Sequence, residues 1–260
     1  MLIAPKSLDM PRFFVTKDQI NDGAVTIFGD DAYHISRSLR MAAGEQITVC
    51  DMQKKEYTCV LEAFSPDKVV ARVISERESD TEPPFSATVF QALPKGDKLD
   101  SVIQKSVECG ASHIVTFNSE RCIAKESGAE EKKLVRRNRI ALEAAKQSGR
   151  GIIPSVSPTV SFKEAIALAS KADIALFCYE GDGTLSLKSF LCEKRAELSR
   201  GGISDPTVSI VIGSEGGFSL YEVEQARAAG LVPIGLGRRI LRTETASSFV
   251  LGCLVYEFEL

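Results

Sequence analysis

The stretch after Pro84 alternates between apolar runs of strand length and amphipathic runs of helix length. Strands are predicted at 87–93, 113–117, 173–179, 208–213 and 232–234. Helices are predicted at 97–109, 130–148, 161–170, 186–198, 219–229 and 243–256. Such alternation is typical of a mostly parallel sheet with helices on both faces. The sequence therefore predicts an α/β domain over residues 81–260.

The first 80 residues have a different pattern, with short alternating runs separated by turn sequences. Strands are predicted at 24–28, 46–50, 57–63 and 68–74. A helical insert is predicted over 30–40, beginning at the Asp30-Asp31 pair, because aspartate side chains are good N-caps. Strands at this spacing indicate a small β-barrel, and segment 77–84 has the composition of a linker. We therefore expect two domains, 1–80 and 81–260.

Composition excludes several classes of protein. The seven cysteines form no Cys-x-x-Cys pair and the two histidines lie far apart in sequence, so neither a disulfide framework nor a metal site is expected. No apolar run approaches the roughly 18 residues of a membrane span, and the first ten residues lack the apolar core of a signal peptide. We expect a cytoplasmic protein with no membrane partner.

Charge is unevenly distributed along this acidic chain. Segment 132–150 holds seven basic residues and a single acid, Glu143, although the net charge of the chain is −3. A basic segment on an acidic protein indicates local contact with a polyanion. A solvated helix face remains the alternative explanation on charge alone.

Three segments follow predicted strands at the edge where parallel sheets bind ligands: 179–183, 212–218 and 236–246. The second, Gly213-Ser-Glu-Gly-Gly217, is neither a dinucleotide fingerprint nor a P-loop. Its Glu215 disfavours a triphosphate and favours a neutral or cationic ligand. A tight strand-to-helix turn is the alternative, but it would explain only one or two of the three glycines.

The third segment mixes arginines with two aliphatic residues, Ile240 and Leu241. This mixture indicates a backbone that lines an apolar pocket while the arginines point elsewhere, towards an anionic substrate. A basic turn with two packing residues is the alternative.

The second and third segments together resemble the cofactor loops of the SPOUT superfamily, the trefoil-knotted S-adenosylmethionine methyltransferases. Within it the chain resembles the RsmE family, which methylates N3 of a uridine in 16S ribosomal RNA of the small subunit. Further matches are Pro11-Arg-Phe-Phe14, His34–Arg40 followed by Gly44-Glu45, Lys95-Gly96, Lys105–Gly110 and Glu143–Arg150. The resemblance runs from about Met10 to the C-terminus, so residues 1–9 are expected as an extension, unless Met10 is the true start. Glu45 stands where the family commonly has Asp.

This resemblance implies a PUA-like N-terminal β-barrel that recognises RNA, a knotted C-terminal methyltransferase domain and a homodimer. The implied cofactor is S-adenosylmethionine. The implied cofactor-binding residues are Tyr179, Glu180, Ile212, Gly213, Glu215, Gly216, Gly217, Leu236, Gly237, Ile240, Leu241, Arg242, Thr245 and Ala246. The implied contacts to RNA are Arg12, Arg37, Arg40, Gln147 and Arg150. Arg37 and Arg40 lie three residues apart, hence on one helix face.

The chemistry of uridine suggests the catalytic residues. N3 of uracil is a weak acid, so its methylation requires loss of a proton and stabilisation of the resulting anion. The guanidinium of Arg242, or that of Arg12, is predicted to stabilise this anion, with water or a carboxylate taking the proton. Two alternatives stay open: a SPOUT methyltransferase for another rRNA or tRNA site, and a non-catalytic RNA-binding or ribosome-assembly factor.

Overall fold

The computed structural model describes residues 10–123 and 130–260, so the expected extension at residues 1–9 lies outside the described residues. The chain divides into two compact units. The N-terminal unit comprises the residues up to Glu82 together with Ala145–Ile153, and the C-terminal unit comprises Pro83–Ala144 and Pro154–Leu260. Within the described ranges, no helix is both long and apolar enough to cross a membrane.

The N-terminal unit is built on a six-stranded sheet. Its strands are β1 (Arg12–Phe14), β2 (Ile20–Asn21), β3 (Ala24–Phe28), β4 (Gln46–Cys50), β5 (Lys55–Phe64) and β6 (Lys68–Glu78). The sheet order is β1-β4-β5-β6-β3-β2, with β1 parallel to β4 and the other pairs antiparallel. Apolar side chains alternate with polar ones along the strands, and the buried ones form a single core cluster. The four predicted strands are confirmed, and β5 and β6 extend beyond their predicted ends.

The helical insert of this unit differs from its prediction in three respects. Helix α1 (Gly29–Tyr33) continues into a π-helical turn, His34–Ser38. The predicted N-cap at the Asp pair is wrong, because Phe28 is the residue that precedes the helix. Both aspartates lie in the first turn, where their negative charge interacts favourably with the helix dipole. The predicted end at residue 40 is also wrong, because Arg40 has a φ of +53° and leaves the helical conformation.

The C-terminal unit contains a seven-stranded parallel sheet. Its strands are β7 (Ser86–Ala92), β8 (Ala111–Asn118), β9 (Ser155–Ser161), β10 (Ile174–Cys178), β11 (Leu185–Ser186), β12 (Thr207–Ile212) and β13 (Val232–Gly235). Their order is β11-β13-β10-β12-β7-β8-β9. The five predicted strands are confirmed, and the two outermost strands, β9 and β11, are additional. The α/β class is therefore confirmed for this part of the chain.

The described residues form six further α-helices: α2 (Lys98–Glu108), α3 (Glu130–Ser148), α4 (Phe162–Ala169), α5 (Leu187–Gly201), α6 (Leu220–Ala228) and α7 (Thr243–Phe258). Both predicted capping boxes form, at Ser161 before α4 and at Ser219 before α6. In each box the serine hydroxyl accepts a hydrogen bond from the backbone N–H of the glutamate three residues later. These caps fix where the two helices begin, and in the case of α6 they also fix the end of the glycine loop.

Candidate active site

A cavity of about 620 Å³ lies at the carboxyl ends of the neighbouring strands β10, β12 and β13. The loops that follow these strands supply most of its lining, as expected for a parallel sheet. The predicted cofactor residues on its wall are Tyr179, Glu180, Ile212, Gly213, Glu215, Gly216, Gly217, Leu236, Ile240, Leu241, Arg242 and Ala246. Gly237 lies instead in an adjoining apolar cavity. Thr245, whose N–H donates to the carbonyl oxygen of Arg242, is placed in the first turn of α7 and off the cavity wall.

Two glycines of the loop after β12 lie where a Cβ would be in unusually tight contact with its neighbours. A Cβ added at Gly213 would lie 3.2 Å from the Phe218 ring, and one added at Gly216 would lie 3.0 Å from the Cβ of Arg121. Gly217 has a φ of +62°, a left-handed conformation that favours glycine. Each of the three positions therefore favours glycine for a separate structural reason, and the lack of side chains leaves the cavity open beside the loop.

Phe218 anchors the end of this loop in the core of the C-terminal unit. Its ring is buried, lies 4.3 Å from the ring of Phe177 and stacks parallel to that of Phe117 at 6.4 Å. Stacked and tilted aromatic pairs of this kind add to the stabilisation from burial alone. The loop is thus rich in glycine but is held at its end by an aromatic cluster.

A buried hydrogen-bond chain ties the glycine loop to the start of α7. The hydroxyl of Thr243 donates to the carbonyl oxygen of Gly213 at 2.6 Å and accepts from the amide of Gln91 at 2.8 Å. The same amide donates to the carbonyl oxygen of Ala92 at 2.9 Å. Neither Gln91 nor Thr243 was predicted as a site residue from the sequence; the available signal was a glutamine near the end of a mostly apolar strand.

Charged side chains form one rim of the cavity. The carboxylate of Glu215 accepts hydrogen bonds from the ammonium group of Lys98 at 2.7 Å and from the backbone N–H of Lys95 at 3.2 Å. Burial alone would raise the pKa of Glu215, but these hydrogen bonds outweigh it and lower that pKa below its ordinary value. Lys98, which was not predicted as a site residue from the sequence, thus holds Glu215 in its ionised form.

The loop after β13 brings one arginine to the cavity. Arg242 precedes α7, and its side chain is 82% exposed, with its nearest guanidinium nitrogen 4.0 Å from the carboxylate of Glu244. Arg238 and Arg239 do not line the cavity, whereas the aliphatic Ile240 and Leu241 do. The predicted apolar lining is therefore present, and Arg242 is the arginine of this loop that faces the cavity.

Arg12, a predicted catalytic and RNA-binding residue, lies in a largely buried network of the N-terminal unit. Its guanidinium donates to Glu56 at 2.7 Å, to the sulfur of Cys50 at 2.8 Å and to the carbonyl oxygen of Arg150 at 3.3 Å. Burial would raise the pKa of Glu56, but the bond from Arg12 and its other hydrogen bonds lower it. Burial also raises the pKa of Cys50 to about 11. Arg12 is therefore held by a carboxylate in the folded unit.

Arg150, a second predicted RNA contact, is also paired inside the N-terminal unit. Its side chain is 3% exposed and donates from two nitrogens to Glu82, at 2.9 and 2.5 Å. Gln147 is exposed near the end of α3, but Arg150 does not share its helix face, because the helix ends at Ser148 and Gly149 turns the chain with a φ of +74°. RNA would reach Arg150 only by displacing Glu82.

Comparisons with known proteins agree with this architecture. The model of a family described as "RNA methyltransferase domain" matches residues 81–255, and one described as "RNA methyltransferase PUA domain" matches residues 29–74. The fold and these matches define the chain as an RNA methyltransferase with a PUA-like domain.

Full-length relatives identify the particular family. Ribosomal RNA small subunit methyltransferase E of Bacillus subtilis is 35% identical over 255 residues, which cover 96% of this chain and 98% of the relative. The protein of the same name from Mesomycoplasma hyopneumoniae is 32% identical, with 93% and 97% covered. A crystal structure of that methyltransferase from Neisseria gonorrhoeae bound to S-adenosyl methionine is 29% identical, with a TM-score of 0.80 over 95% of this chain and 97% of the other. The chain belongs to the ribosomal RNA small subunit methyltransferase E family, RsmE, and the resemblance found in the sequence is confirmed.

Proposed function

We propose that this protein transfers a methyl group from S-adenosylmethionine to N3 of a uridine in 16S ribosomal RNA of the small subunit. The observation that carries this proposal is the cavity at the ends of β10, β12 and β13, lined by the segments that resemble the SPOUT cofactor loops. A relative of similar fold, from Neisseria gonorrhoeae, was crystallised with S-adenosyl methionine.

The cavity wall suits S-adenosylmethionine. The segment around Leu236, Ile240 and Leu241 supplies an apolar slot for an adenine ring, bordered by backbone. Gly213 carries no Cβ, and one added there would lie only 3.2 Å from the Phe218 ring, so the loop backbone itself forms the wall that the ligand meets. Glu215 is engaged by Lys98 and by a backbone N–H, which supports a role in fixing the loop. Thr245 and Gly237 are assigned to supporting this wall.

The chain's own residues have a limited task in such a reaction. S-adenosylmethionine supplies an already activated methyl group, so the protein must align the base and stabilise charge. Arg242 is the assigned catalytic residue, because its exposed guanidinium at the cavity rim is free to pair with the carbonyl oxygens of a deprotonated uracil. The proton passes to water or to a carboxylate. Arg12, paired with Glu56, is better suited to holding the N-terminal unit than to catalysis.

RNA recognition is assigned to the N-terminal domain, residues 1–80, and catalysis to residues 81–260, with a homodimer as the working form. Arg37, Arg40 and Gln147 are exposed and are the proposed contacts to phosphate. The basic residues of α3 extend this set, since Lys132, Lys133, Arg136 and Arg139 are also exposed.

Two measurements test this function. Calorimetric titration should detect S-adenosylmethionine binding by the wild type and by Arg242→Ala, and the substitution should lower single-turnover methylation of small-subunit RNA much more than it lowers this affinity. Mass-spectrometric mapping of rRNA from a deletion strain should show the loss of one N3-methyluridine. Loss of a different modified nucleotide would assign another RNA site, and the absence of binding at millimolar cofactor would favour a non-catalytic factor.

A further inference from the structure

The helical insert of the N-terminal unit presents an aromatic side chain to solvent. Tyr33, the last residue of α1, is 63% exposed, whereas Phe13 and Phe14, the two aromatic residues of β1, are buried. Arg37 follows Tyr33 by one turn of the π-helical segment and is exposed as well. That segment is closed by a hydrogen bond from the N–H of Leu39 to the carbonyl oxygen of His34 at 2.9 Å. An exposed aromatic residue and an exposed arginine therefore lie four residues apart along this helical segment.

The electrostatics of this turn favour an anion. Residues 33–41 contain two arginines and no acid, although the first 80 residues as a whole carry more acids than bases. Of the two preceding acids, Asp31 is paired with Lys146 at 2.9 Å, and Asp30 is exposed. Arg40 keeps a φ of +53°, an uncommon conformation for a residue other than glycine. The turn is thus a small cationic patch with an exposed ring.

We propose that Tyr33 is a stacking platform for an unpaired nucleobase of the RNA substrate, with Arg37 and Arg40 binding the adjoining phosphates. The inference rests on the proposed function, and it adds that the recognised RNA is single-stranded at this point. A duplex hides the faces of its bases, whereas an unpaired base offers one to an aromatic side chain. Loss of such a ring by alanine substitution weakens binding by about 5- to 150-fold.

The absence of tryptophan from the sequence permits a direct test. Tyr33→Trp introduces a unique fluorophore, and Tyr221→Trp is the matched control, because Tyr221 is 70% exposed on α6 of the C-terminal unit. We expect a single-stranded oligoribonucleotide of about 10 nucleotides, a typical site size, to quench the fluorescence of the Tyr33→Trp variant strongly, and the duplex of equal length to leave it unchanged. Equal quenching of the two variants by the single strand would overturn the proposal, as would a loss of Tyr33→Trp fluorescence that occurs equally without RNA.

Affinity measurements separate the ring from the charge. Tyr33→Ala should lower affinity for the single strand by about 5- to 150-fold, Tyr33→Phe should retain it, and Asp30→Asn should raise it. S-adenosylmethionine affinity, measured on the same proteins, should not change. If wild type binds RNA and Tyr33→Ala binds it equally well, the platform is refuted while the proposed function stands. If wild type neither binds nor methylates RNA, the proposed function itself fails. Should Tyr33→Ala not fold, the fluorescence of Tyr33→Trp decides the matter.

Discussion

Thr243→Val is the substitution that best tests how the glycine loop is held. Valine has nearly the shape of threonine but no hydroxyl group, so packing around this buried position is kept. The hydroxyl that disappears donates to the carbonyl oxygen of Gly213 and accepts from Gln91. The change therefore removes the polar link between α7 and the loop after β12 while leaving both elements in place.

The expected loss can be estimated from the partners that remain. A hydrogen bond contributes about 1 kcal/mol net, and a buried group left without a partner costs about 1–3 kcal/mol. The amide of Gln91 keeps its bond to Ala92 at 2.9 Å, and the Gly213 oxygen keeps a long 3.4 Å contact with the same amide. We therefore expect the free energy of unfolding to fall by about 1–3 kcal/mol. Because both linked segments line the cavity, about 1 kcal/mol of this should appear as a roughly five-fold weaker affinity for S-adenosylmethionine.

Thr116→Val provides the matched control. Thr116 is fully buried on β8, its hydroxyl is 2.7 Å from that of Thr159, and it does not line the cavity. Both variants should lose stability in urea unfolding, but calorimetric titration should find weaker cofactor binding only for Thr243→Val. Unchanged binding by Thr243→Val, or equally weakened binding by Thr116→Val, would refute the reasoning.

Three further outcomes follow from the described contacts. Glu56→Gln should lower the free energy of unfolding by about 3 kcal/mol at neutral pH, because it leaves the guanidinium of Arg12 without its carboxylate. Folding lowers the pKa of Glu56, so the stability difference between wild type and variant should shrink as pH falls through the pKa of Glu56 in the folded protein. Urea unfolding across acidic pH measures this difference. Gly213→Ala should weaken S-adenosylmethionine binding about tenfold, since the new Cβ would lie 3.2 Å from the buried Phe218 ring. The control variant Gly201→Ala, on α5, should bind S-adenosylmethionine normally and melt no earlier than wild type. Cys192→Ser should abolish the fast phase of reaction with a thiol reagent, because Cys192 is exposed. Persistence of that phase would show that another cysteine reacts fastest.

The C-terminal sheet could be predicted because its inner strands carry a strong local signal. Strand β10 is a continuous apolar run and β12 is apolar at four of its six positions, and the serine–glutamate boxes mark where α4 and α6 begin. Strand β9 gave no such signal, since Ser155–Ser161 is rich in hydroxyl groups and contains Pro158. It is an outermost strand, a position that tolerates proline. Its formation depends on the neighbouring strand β8, which a local pattern cannot reveal.

The candidate site could be predicted where it consists of contiguous loops, and not where it joins distant residues. The glycines after β12 and the aliphatic pair after β13 are local signals, and both segments line the cavity. Lys98 and Glu215 are separated by more than a hundred residues, as are Gln91 and Thr243. A local sequence pattern does not show which distant residues meet in the fold. Their hydrogen bonds depend on the order of the strands in the sheet, which brings these residues together.

Burial sorts the five arginines that the sequence assigned to RNA or catalysis into two groups. Arg12 and Arg150 are largely buried, and each donates to a carboxylate at 2.9 Å or less. A carboxylate so close cancels much of the positive field, and removing it would leave a costly buried charge, so these two side chains are committed to the fold. Arg37, Arg40 and Arg242 are exposed, and a phosphate or a uracil anion can approach them without breaking a buried pair. All five carry the same charge in the sequence. They differ in the free energy of binding RNA, because Arg12 and Arg150 would first have to give up a carboxylate partner.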